Sequence, residues 1–301
     1  MVEHAQNINN AIVTLDVALP GIVWGWMITL NMWAKSIATG VILVGAYLLA
    51  RYGKDKNDLK GLKNTIPVVA FIFLNIFLLF TLLDLHQPFR MINIFLHPHW
   101  TSAITVGAWF ATILTGIIAF MTYLVMFKNE TTGLYDKLLK FATVLAVPVT
   151  LYTAVIMGEA SARELWQTPG ELIQMALAAF LVGAGVLTFF SDRWSSEAKR
   201  DLAAIMALSA FLMFTVYMGE YFFSWKMAEA EATMSFVHSG GEYNTMFWIG
   251  QILLFATSVL TFNSVRSGSY GSLKLAAILS LIGLYIAKHV WLVIPQLLSL
   301  S

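Results

Sequence analysis

The chain has 301 residues, 58% of them hydrophobic and 12% charged, with a mean hydropathy of +0.74. Soluble domains average roughly 45–50% apolar and about 25% charged, so the composition excludes a soluble globular chain and points to a polytopic membrane protein. With no cysteine, the chain carries no disulfide, thiolate-held iron–sulfur cluster, Cys-ligated zinc or c-type haem, and a net charge of +1 leaves no nucleic-acid footprint.

Residues 1–20, MVEHAQNINNAIVTLDVALP, lack the basic n-region of a signal peptide and read as a retained outer or interfacial segment ending at Pro20. Residues 21–301 read as one transmembrane domain. Eight segments reach the ~20 apolar residues that a spanning helix needs. They run near 21–50, 66–84, 104–127, 138–158, 171–191, 201–223, 244–263 and 272–298. No strand-like alternation competes. The expected fold class is therefore an all-α integral membrane protein with eight transmembrane helices, grouped as two four-helix bundles.

Loop charge predicts the orientation. One set of alternate loops holds Arg51, Lys54, Lys56, Lys60 and Lys63, then Lys128, Lys137 and Lys140, then Arg193, Lys199 and Arg200, then Arg266 and Lys274. The other set holds only Arg90, Arg163 and Lys226. The positive-inside bias places the first set inside and both termini outside, in a multi-pass protein of the cytoplasmic membrane. The outer loops are longer, richer in acidic residues, histidine and aromatics, and are the expected side for chemistry.

Four segments carry polar groups that stand out at membrane depth. Lys35 lies near the middle of the first segment, where a lysine costs roughly 2.5–3.5 kcal/mol on insertion scales. Asn31 and Thr39, four residues to either side, share its helical face. Two readings of Lys35 stand: a structural charge that snorkels or pairs with a carboxylate, and a member of a buried site. Glu220, toward the outer end of the sixth segment, is the expected opposite charge. Its alternative is an interfacial glutamate among belt aromatics. The fourth segment holds Pro148, expected to kink the helix and free carbonyls, with Tyr152 and Glu159 on one face. Lys288 lies in the eighth segment beside His289. Of the six histidines only His289 is inside a segment, so no haem is expected.

Asn31, Lys35, Tyr152 and Glu220 fall on three segments at middle-to-outer depth and suit a quinone. Asn and Tyr donate to ring carbonyls, while Lys and Glu exchange the protons that quinol oxidation releases. Lys35, Glu220, Glu159 and Lys288 are the candidate proton-transfer groups, and no metal site is expected.

After the second segment comes DLHQPFRMINIFLHPHWTSAITVGAWF, residues 84–110. This resembles a signature of the NrfD-like family, the membrane subunits of polysulfide reductases and related complexes. An Asp-Leu-x-x-Pro-x-Arg turn (Asp84, Leu85, Pro88, Arg90) leads through Pro98, Thr101 and Ser102 to Gly107 and Trp109. The first segment, WGWMITLNMWAKSIATG, with its small-residue step at Ala38 and Gly40, is also similar to the family's opening helix. Locally, Asp84 and Arg90 can pair across the turn, Thr101 or Ser102 can cap the third helix, and Gly107 permits close helix contact. A purely structural interfacial turn is the alternative.

The resemblance implies a quinone-binding membrane anchor subunit that exchanges electrons with an iron–sulfur partner at the outer face. That partner is a four-cluster ferredoxin-like protein, with a molybdopterin catalytic subunit beyond it. It also implies a quinone cofactor, menaquinone or similar, and a partner interface at the signature loop, with Asp84, His86, Pro88, Arg90, Trp100 and Ser102. In the polysulfide-reductase type an Asn and a His four apart on the first helix line the pocket. Asn31 and Lys35 match that pair, with lysine in place of histidine. The alternative functional class is a proton or ion translocating subunit using Lys35, Glu220 and Lys288. A third is a plain anchor whose polar groups are structural.

Overall fold

The computed structural model describes residues 22–53, 59 and 61–298. The proposed interfacial segment 1–20, and Lys54, Lys56 and Lys60 of the first loop, lie outside the described residues. Eight described helices are long and apolar enough to cross a membrane. They are α1 (Trp26–Tyr52), α2 (Leu62–Asp84), α3 (Ala103–Lys128), α4 (Leu134–Glu159), α5 (Thr168–Thr188), α6 (Ser196–Phe223), α7 (Glu242–Ser267) and α8 (Leu273–Val293). No strand occurs among the described residues. The eight correspond one to one with the predicted segments.

Several ends differ from the sequence-based limits. α2, α4 and α6 begin earlier than predicted because helical hydrogen bonding continues past the apolar stretch into polar sequence. At the start of α6, Ser195 Oγ accepts from the Ala198 N–H at 3.3 Å, a side-chain N-cap. α4 runs unbroken through Pro148 from Leu134 to Glu159. Two further helical pieces lie at the end with the long loops. One is the turn Pro88–Ile92 followed by Asn93–Leu96; the other is a helix over Ala228–His238. The latter is rich in Ala and Glu and too short to register in a search for spans.

α1 and α5 are the central helices. α1 packs on α2, α4, α5 and α8, while α5 packs on α1, α4, α6 and α8. α3 bridges α2 and α4, and α7 bridges α6 and α8. Small residues allow the central contact. Gly40 of α1 lies against the backbone of Ala179 and Gly183 of α5, so that a Cβ at either glycine would overlap the facing chain. Without a hydrophobic driving force between helices in lipid, such backbone approach is what van der Waals packing needs. The outer helices turn large apolar side chains outward, among them Ile72, Leu79, Phe120, Phe127, Leu208, Phe262 and Ile282, as a lipid-facing surface requires.

Polar ties close both ends. At the short-loop end Asp201 of α6 accepts from the hydroxyls of Tyr47 at 2.8 Å and Tyr52 at 2.9 Å, with Arg51 at 3.3 Å. Asp192, in the α5–α6 loop, pairs with Lys274 at 2.8 Å, and that bond holds its carboxyl below the usual range. At the long-loop end Gln296 Oε1 accepts from the Val23 and Trp24 amides. Glu164 accepts from the amides of Glu229 and Ala230, which fixes the start of the Ala228–His238 helix, and Glu229 accepts in return from the Glu164 amide.

Candidate functional site

The first polar group assembles around α1. Asn31 is buried, and its amide Nδ2 donates to the Phe77 carbonyl at 2.9 Å and to Thr81 Oγ1 at 2.5 Å, both on α2. Its two donor hydrogens are thereby used. One turn further, Lys35 is 0% exposed. Its ammonium donates to Thr153 Oγ1 of α4 and stands 4.5 Å from the centre of the Tyr152 ring. The ring's electron-rich face thus supplies part of the attraction that water supplies elsewhere. Tyr152 is half-buried and its ring lies against Gly107 of α3, where a Cβ would run into it. Helices α1, α2, α3 and α4 therefore each contribute one element: the polar pair, its anchor, a glycine floor and the aromatic wall.

The predicted set does not all meet here. Glu220 is half-buried on α6, which packs on α5 and α7, and its backbone carbonyl accepts the Ser224 amide. The described hydrogen bond of Lys35 goes to Thr153. Glu159 is exposed at the end of α4. Lys288 is 3% exposed and belongs to a second group with α5, and His289 Nδ1 sits 3.0 Å from Thr29 Oγ1.

That second group joins Lys288, a candidate from the sequence, to three residues that the sequence reading does not single out: Glu171, Gln174 and Trp291. Glu171, in the first turn of α5, is 0% exposed. Lys288 Nζ lies 3.6 Å from its Oε2 and donates to Gln174 Oε1 at 3.0 Å, while Trp291 Nε1 donates to Glu171 Oε1 at 2.6 Å. Among the described residues, Glu171 is thus the one fully buried carboxylate. In the sequence it stands at the predicted start of the fifth segment, where a glutamate reads as a headgroup-level residue. The available signal was Gln174 three residues on, a second polar group on the same face of an apolar segment.

The signature segment sits at the long-loop end beside the first group. Pro88 starts the helical turn. Asp84 and Pro88 are half-buried, and His86, Arg90 and Trp100 are exposed. No ion pair joins Asp84 to Arg90 among the described residues. Ser102 is the N-cap residue of α3 by position but makes no side-chain cap bond, and Thr101 Oγ1 lies 2.8 Å from His99 Nδ1 instead. Phe95 and Trp100 both pack on Trp109 of α3, at centroid distances of 5.5 and 5.7 Å, and the buried Trp109 indole N–H has no acceptor.

The family model described as polysulphide reductase, NrfD, matches residues 17–298. The chain belongs to the NrfD family. No curated protein matches it significantly. An NrfD chain is a membrane subunit of an oxidoreductase complex, and here that membership spans all eight helices. The signature of this NrfD chain meets the Asn31–Lys35 group through α3, whose Gly107 lies against the Tyr152 ring. No cluster of three or more metal-ligating side chains occurs among the described residues.

Proposed function

We propose that this NrfD chain binds quinol from the membrane at Asn31, Lys35 and Tyr152 and passes its electrons to an iron–sulfur partner docked on the long-loop end. A molybdopterin catalytic subunit lies beyond that partner. The observation that carries the proposal is Lys35, a fully buried ammonium held by a threonine and an aromatic face beside an amide whose acceptor oxygen is free of described hydrogen bonds. An intramembrane charge so placed is a functional group by default.

The quinone, when bound, supplies two-electron chemistry and two exchangeable protons. The chain's residues supply the rest. Asn31, its donors committed to α2, presents Oδ1 as an acceptor and thus fits a quinol hydroxyl better than a quinone carbonyl. Lys35 donates to an oxygen as the ammonium and takes a proton as the amine. Tyr152 walls the group, and Gly107 lets that wall stand close to α3. The exposed His86, Arg90 and Trp100 lie on the face where the partner docks in this reading. Glu220 and Glu159, farther toward the long-loop end, are groups through which protons leave.

Binding of a quinol analogue that carries a donating hydroxyl, measured on the purified complex, tests the assignment. Lys35→Met and Asn31→Ala each weaken binding at least tenfold, the loss of one hydrogen bond to a charged or buried group being worth about 1.5–3 kcal/mol. Wild-type affinity in both variants sinks it.

A further inference from the structure

The buried groups on α5–α8 are not absorbed by the quinone reading. Glu171 and Lys288 face each other at 3.6 Å with 0% and 3% exposure. Buried ion pairs persist in proteins when further bonds satisfy their remaining atoms. Here they do so only in part. Glu171 Oε1 has the Trp291 indole, but Oε2 has no hydrogen bond. The buried Tyr217 hydroxyl of α6 is also unbonded, and its ring packs at 5.1 Å on Trp291, whose indole N–H donates to Glu171. Both side-chain atoms of Gln251 on α7 are buried and unbonded, and the adjoining Gly250 packs on Ala287, next to Lys288. Unsatisfied buried polar atoms in such numbers are normally met by internal water.

The second fact is charge. α8 carries Lys288 against α1, with His289 Nδ1 3.0 Å from Thr29 Oγ1 and the Tyr285 ring 6.4 Å from that of Trp33, so Lys35, Lys288 and Glu171 form one system where α1, α5 and α8 meet. With all three ionised it holds two cations and one anion. A net charge in a low-dielectric interior favours a system that passes a proton on when another arrives.

We propose that Glu171, held by Lys288 and Trp291, is the proton acceptor for Lys35, reached through water bound by Glu171 Oε2, Tyr217 and Gln251. This rests on the quinol reading of Lys35. In the step an N–H bond of the Lys35 ammonium breaks and an O–H bond forms at Glu171 Oε2, with no electron transferred. Lys35, now an amine, takes the next proton from a quinol hydroxyl. Lys288 keeps its charge throughout and positions the carboxylate. The titratable groups facing this path are Lys35 of α1, Tyr152 of α4, Tyr217 of α6 and Lys288 of α8.

The test uses the intact membrane complex carrying Glu171→Gln, or Glu171→Gln with Lys288→Met, the second variant leaving a neutral pair that packs without an unpaired charge. During quinol oxidation, time-resolved infrared spectra show a protonated-carboxyl band in the wild type that both variants lack. Both lower kcat at least tenfold with KM and quinone-analogue binding unchanged, and Glu171→Asp restores part of the rate. A band that persists, or a wild-type kcat in the folded double variant, overturns the relay. Failure of the wild type to bind quinone refutes the reading of Lys35 instead. Proton uptake after an acid jump then decides the relay: a Glu171 band indifferent to Lys35→Met overturns it, and one that changes sustains it.

Discussion

The stability of the Glu171–Lys288 pair gives a prediction with a sign and an order. At 3.6 Å and an effective dielectric of about 20, the attraction is about 4–5 kcal/mol. Removing one partner of a buried pair costs about 3–5 kcal/mol, because the survivor is left unpaired, while replacing both with neutral groups of similar volume is nearly free. The third charge breaks the symmetry between the two single variants. Glu171→Gln leaves two buried ammoniums, Lys35 and Lys288, repelling each other with no anion. Lys288→Met removes that repulsion, keeps the Trp291 bond to the carboxylate and leaves Lys35 as a positive neighbour. Glu171→Gln therefore falls at the upper end of the range and Lys288→Met at the lower end. The double variant returns to within about 1 kcal/mol of the wild type. Denaturant unfolding of the purified complex in mild detergent, run as a double-mutant cycle, measures this. Effects that add to within about 0.5 kcal/mol, or a Lys288→Met variant less stable than Glu171→Gln, refute the three-charge account.

Two further substitutions separate packing from ligand binding. Gly40→Leu drives a side chain into the Ala179 and Gly183 backbone at the centre of the bundle; it parts α1 from α5 and lowers stability by 3 kcal/mol or more, above the roughly 1–3 kcal/mol of ordinary overpacking, as read by thermal unfolding, and an unchanged melting temperature contradicts the contact. Gly107→Ala pushes the Tyr152 ring toward Lys35, so quinone-analogue binding weakens severalfold while unfolding changes by about 1–2 kcal/mol; a stability loss with binding intact assigns Tyr152 to packing alone.

Hydropathy along the chain was enough to locate eight helices, because in lipid each span must be apolar over its own length and satisfy its own backbone. The family signature at Asp84–Trp109 was legible for a similar reason, being one continuous stretch. The helical period placed Asn31 and Lys35 on one face, and Gly107 was readable as a point of close approach, which the Tyr152 ring occupies. Periodicity tells which residues share a face, but it is silent on which neighbour that face meets. Only the packing of α1 against α4 decided that Lys35 bonds Thr153, and only the packing of α5 against α1 and α8 that the buried carboxylate among the described residues is Glu171, 136 positions away in the chain. Glu171 itself stood at a segment end in the sequence and became buried through α8, whose Lys288 and Trp291 close over it. A charge beside a helix terminus looks solvated until another helix covers it, and the covering helix is set by tertiary packing alone.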